Sequence, residues 1–92
     1  MININELIKK AILDKNQIKL DTYRMLKSAI LEFQKAKNAQ EFNEDVELKI
    51  IKKMIKQRQE VAQVYKQSGR DDLAATELAQ SVVLRDLLPL EK

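Results

Sequence analysis

At 92 residues the chain is long enough for one domain with a thin core, because a domain of this size buries only about 60–65% of the surface its unfolded chain exposes. Hydrophobic residues make up 45% and charged residues 34%, with one Gly, one Pro, two Tyr and two Phe, which excludes a disordered chain and disfavours many short strands joined by turns. The absence of Cys and His excludes thiol and imidazole chemistry, disulfides and the usual zinc sites, and a formal charge of +3 permits a nucleic-acid partner without requiring one.

The spacing predicts four helices. Ile4, Leu7, Ile8, Ala11 and Ile12 recur at the interval of one helical face, behind a capping-box pair of Asn3 and Glu6, so helix 1 is expected over about 4–15. After DKNQ, the residues Ile18, Tyr23, Met25, Leu26, Ala29, Ile30 and Phe33 form a broad apolar arc for helix 2, about 18–37. The segment NAQEFN, 38–43, breaks the pattern. Asn43 then supplies a cap, with Glu44 and Asp45 in the first turn, where the helix dipole favours negative charge. Helix 3 follows as the longest element, apolar on one face through Leu48, Ile51, Met54, Ile55, Ala62 and Tyr65. Gly69 suits the left-handed residue just past its end, and Asp71 is expected to cap helix 4, about 72–87, which stops before Pro89. So short a link makes helices 3 and 4 an antiparallel hairpin, and the fold class is all-α, a four-helix domain. No stretch approaches the roughly 20 apolar residues of a membrane span, so a cytoplasmic location without membrane association is expected.

Some polar residues sit where this pattern does not ask for them. Arg58 falls near the middle of the apolar arc of helix 3, and Glu77, with Gln80 beside it, lies among Leu73, Leu84 and Leu88 on helix 4. A hairpin turns these faces toward each other, so the two charges are expected to pair at about 3 Å, as an internal ion pair that sets register. Lys49, Lys52, Lys53 and Lys56 make a stripe opposite the apolar arc. Such a stripe is either a solvated face or a contact for phosphates or an acidic partner. The stretch SGRDD around Gly69 reads as a cap followed by a cap, and that reading leaves Arg70 unexplained.

Motifs along the chain resemble a family. In YKQSGRDDLAATE, the residues Tyr65, Gly69, Arg70, Asp72, Leu73, Ala74 and Glu77 are similar to the pattern Y-x-x-A-G-R-x-D-L-A-x-x-E of the small bacterial YqeY proteins of the GatB/YqeY group. TYRMLKSAI, which contains Arg24, resembles their T-L-R-M-L-x-A-A-I, Lys56-Gln57-Arg58 matches K-Q-R, and Leu88-Pro89 resembles the end of Y-L-P. Departures are Ser68 for Ala, Val61 for Ser, Gln80 for Glu and Leu87 for Tyr.

The resemblance implies a YqeY-like helical domain over 1–92, with the family's usual C-terminal tail domain absent. That family is similar to the C-terminal appendage of the B subunit of the glutamine-dependent aspartyl/glutamyl-tRNA amidotransferase, a carbon–nitrogen ligase with glutamine as amido donor. The chemistry belongs to other domains of that enzyme, so the expectation here is a module without catalytic residues, cofactor or metal. Its partners would be tRNA or amidotransferase subunits, met by Arg24, Arg70 and Lys49, Lys52, Lys53 and Lys56. Arg58, Tyr65, Gly69, Asp72 and Glu77 would be structural. The competing expectation is a protein-interaction scaffold, unrelated to tRNA, whose hairpin tip docks a partner helix.

Overall fold

The structure is a computed structural model that describes residues 1–36 and 41–89. Among these residues it holds four helices and no strand, α1 (Ile4–Leu13), α2 (Gln17–Lys35), α3 (Glu44–Gln67) and α4 (Asp71–Arg85). Among the described residues, no helix is long and apolar enough to cross a membrane.

Caps set the boundaries. Asn3 Oδ1 accepts from the Glu6 N–H at 3.2 Å and Asn43 Oδ1 from the Val46 N–H at 3.0 Å, the two N-termini expected from sequence. Asn16, unremarked in the sequence pattern, caps α2 in the same way by accepting from the Lys19 N–H at 3.0 Å. This cap starts α2 one residue early, at Gln17, and the turn before it is made by Lys15 in the left-handed region at φ 54°. Helix 1 consequently ends at Leu13 rather than 15. Helix 2 ends at Lys35 rather than 37, with Ala36 in extended backbone. Lys37 and the 38–40 part of the expected break lie outside the described residues.

The α3 to α4 turn is the Gly69 cap. Gly69 lies at φ 75°, its N–H donates to Lys66 O at 3.1 Å, and the Arg70 N–H donates back to Tyr65 O at 2.8 Å. These two bonds form the Schellman closure and satisfy carbonyls that the end of α3 would otherwise leave open. The chain reaches helical geometry one residue sooner than Asp71 capping requires. Arg70 takes the N-cap position with no side-chain cap bond, its carbonyl accepting from the Ala74 N–H at 3.0 Å. Asp71 is instead the first residue of α4, where with Asp72 it complements the helix dipole. The helix ends at Arg85, two residues before the expected 87.

Leu26, Ile51, Met54 and Leu84 form the central core, one or two side chains from each of α2, α3 and α4. A second cluster, Ala11, Tyr23 and Val83, takes one side chain from each of α1, α2 and α4, with α1 packed on α2. Burial, with a smaller contribution from the Asp86 carboxylate, pushes the Tyr23 hydroxyl above its ordinary pKa. Buried hydroxyls close on their own helices, with Thr22 donating to Ile18 O at 2.7 Å and Ser81 to Leu78 O at 2.6 Å. Among the described residues, helix α3 packs mainly on α4, much less on α2 and not on α1.

Candidate functional site

The residues singled out by sequence fall into three places. The first is the outer face of α3, where Lys49, Lys52, Lys53 and Lys56 are all exposed. Their spacing of three and four puts them on one stripe of a helix of 24 residues, long enough to present cations over about 10 Å.

The second is the hairpin tip. Arg70 is exposed, and its guanidinium donates twice to Asp72, from Nε to Oδ1 at 3.2 Å and from Nη2 to Oδ2 at 3.1 Å. That fork, followed by the Leu73 backbone N–H, holds the Asp72 carboxyl below the usual carboxylate range. Tyr65 contributes its carbonyl to the Schellman closure. Arg70 lies past the end of α3, roughly 20 Å along the axis from Lys56, so tip and stripe are distinct sites on one rod.

The third lies inside the bundle. Arg58 Nη1 is 3.4 Å from Glu77 Oε2, and their side chains are 24% and 16% exposed. The two charges meet across the hairpin, but at a longer distance than the 3 Å expected and without a directed hydrogen bond. Glu77 Oε2 is buried with no hydrogen-bond partner among the described residues. Arg58 Nη1 donates instead to the Met25 sulfur at 3.7 Å. The physical reason is position: Arg58 sits at the junction of α2, α3 and α4, and the thioether of α2 competes for the same group. Arg58 and Arg24 also line one groove between α2 and α3.

Sequence reasoning missed Glu47. It is only 3% exposed, and its Oε1 accepts from the Ile2 N–H at 3.2 Å, tying the N-terminal residues to α3. A carboxylate one turn after a helix cap reads as a dipole partner. Only the fold brings Ile2 to it. Among the described residues, no three His, Cys, Asp or Glu side chains gather as a metal site requires.

Four helices around one thin core, with a lysine-striped helix and a Gly-Arg hairpin tip, define a small helical domain with cationic surfaces. A family model described as Yqey-like protein matches residues 2–91, and the chain belongs to that family. No curated protein matches it.

Proposed function

We propose that this domain is a noncatalytic module that binds tRNA in the service of a glutamine-dependent tRNA amidotransferase. Membership of the YqeY-like family supports the reading through that family's similarity to the amidotransferase appendage. The observation that carries it is the exposed stripe of Lys49, Lys52, Lys53 and Lys56 on a long helix. Four cations on a rigid rod can meet successive phosphates without reading bases, and Arg70 adds, at the far end, the N–H donors that its pair with Asp72 leaves unused.

The test is a titration of the protein with unfractionated tRNA by fluorescence anisotropy at several salt concentrations. Four phosphate contacts give a slope of log affinity against log salt of about −3 to −4. Replacing Lys52 and Lys56 together by Glu should flatten that slope and weaken binding strongly. A slope near zero, or binding indifferent to the double change, rejects the reading.

A further inference from the structure

Between α2 and α3 runs a groove whose two adjoining pockets, each about 390 Å³, share Ala29, Glu32, Met54 and Gln57 in their walls. From Arg24 to Ala36 along α2 it extends roughly 18 Å, about three turns of a helix laid in it. Its floor is apolar and soft, lined by Met25 from α2 and Met54 from α3. Unbranched thioethers re-pack around different partners more easily than branched side chains do. Its rim is cationic. Arg24, Lys53 and Arg58 line it against the single carboxylate of Glu32.

Arg58 has capacity for a further acceptor. Its one hydrogen bond among the described residues goes to the Met25 sulfur, a weak acceptor, and the nearby Glu77 oxygen receives none from it. A carboxylate arriving in the groove could take two parallel N–H donors from this guanidinium.

We propose that the α2/α3 groove docks an acidic amphipathic helix of a partner protein. Apolar side chains of that helix, spaced three and four apart, enter between Met25, Ala29 and Met54, and its carboxylates meet Arg24, Arg58 and Lys53. The apolar floor favours a protein over a nucleic acid, whose phosphates gain nothing from methionine and alanine. This goes beyond the tRNA reading and rests on the trough, which shares only Lys53 with the lysine stripe.

The test uses the three methionines of the chain as reporters, with ¹³C-methyl labelling. The probe is a synthetic helical peptide of roughly 14 residues with leucines on one face and glutamates flanking them. Docking shifts the methyl resonances of Met25 and Met54 and leaves Met1, which lines a separate pocket, unmoved. A peptide with Gln in place of each Glu should bind at least about tenfold more weakly. Ser28→Trp, at an exposed position in the groove wall, should abolish the shifts with the helical circular dichroism retained. Should that variant fail to fold, Arg24→Glu serves in its place, weakening the glutamate peptide and recovering affinity for a lysine version. Met25 and Met54 unmoved at millimolar peptide, or equal affinity for the Glu and Gln peptides, overturns the proposal. Because tRNA titration is a separate measurement, either reading can fail while the other stands.

Discussion

The α3/α4 hairpin and the α2/α3 groove share one helix, and the two sides of that helix are finished differently. Toward α4 the chain near the hairpin tip places Ala62 and Ala74, 2% and 1% exposed, so little side-chain bulk holds the helices apart. The turn is closed by two backbone bonds and the far end by Leu84 in the core. Toward α2, the same helix closes on Leu26 through Ile51 and Met54, while Gln57 and Arg58 beside them are long side chains that line an open groove. The hairpin side is packed mostly with small or branched residues. A face left for a ligand is lined with residues that can move.

The largest expected effect tests whether the hairpin side carries the stability. Leu84 is fully buried in the cluster with Leu26, Ile51 and Met54. Leu84→Ala should cost about 2–5 kcal/mol, since the cavity adds to the lost transfer energy. Against a total stability of about 5–15 kcal/mol for a domain, that brings a thin core close to unfolding. Urea denaturation of this variant beside Ser28→Trp on the groove side should show a large loss for the first and almost none for the second. Equal losses would mean that the groove is as structural as the hairpin.

Arg58 belongs to both regions, so it sharpens the contrast. Truncating one partner of a fully buried ion pair costs about 3–5 kcal/mol. Exposures of 24% and 16% reduce that to about 1–2 kcal/mol for Arg58→Met, which strands the Glu77 carboxylate. The double variant Arg58→Met with Glu77→Leu should recover most of the loss, because no buried charge remains. A double variant less stable than the single would show that the pair holds the hairpin together beyond relieving its own burial.

The contrast also explains what could be read in advance. Helix identities followed from apolar periodicity, and Asn3, Asn43 and Gly69 marked their ends by local chemistry alone. The meeting of Arg58 and Glu77 followed from two helical wheels and a short loop. Asp71 was misplaced because a one-residue change in where the chain turns helical decides which residue caps. Glu47 was missed because its partner, the Ile2 N–H, lies 45 positions away. The groove is a gap between two helices, and hydrophobic periodicity records which face is apolar without recording how closely its neighbour approaches.

Next in size is the turn. A Cβ built on Gly69 meets nothing within 4 Å, so the loss in Gly69→Val comes from the backbone at φ 75° and from no crowding around it. About 1–2 kcal/mol is expected by thermal melting, from the left-handed conformation and the β-branched side chain. Gly69→Asn should lose less, because asparagine tolerates that region. A valine variant as stable as the parent would mean that the hairpin does not depend on its Schellman closure.

The smallest expected change in stability is at Arg70, where folding and recognition should separate. Its guanidinium is exposed and its pairing with Asp72 is local, so removing it opens no cavity and strands no buried charge. Arg70→Ala should lower the melting temperature at neutral pH only slightly, because the pairing it removes is fully exposed. What it should change is Asp72, whose carboxyl is held low first by the Arg70 side chain and then by the Leu73 N–H. A depressed folded pKa adds stability above the ordinary carboxylate range, and that contribution is lost as pH falls through the folded value. In Arg70→Ala the Asp72 carboxyl, followed by NMR, should therefore titrate at higher pH than in the parent, with its remaining depression owed to the Leu73 N–H. If Arg70 is also a phosphate contact, tRNA affinity falls in the same variant and the salt slope shrinks by about one unit. An unmoved Asp72 titration would show that the fork is not formed in solution. A melting temperature lowered as far as in Gly69→Val would make Arg70 a structural residue of the turn and place the hairpin tip wholly on the stability side of the contrast.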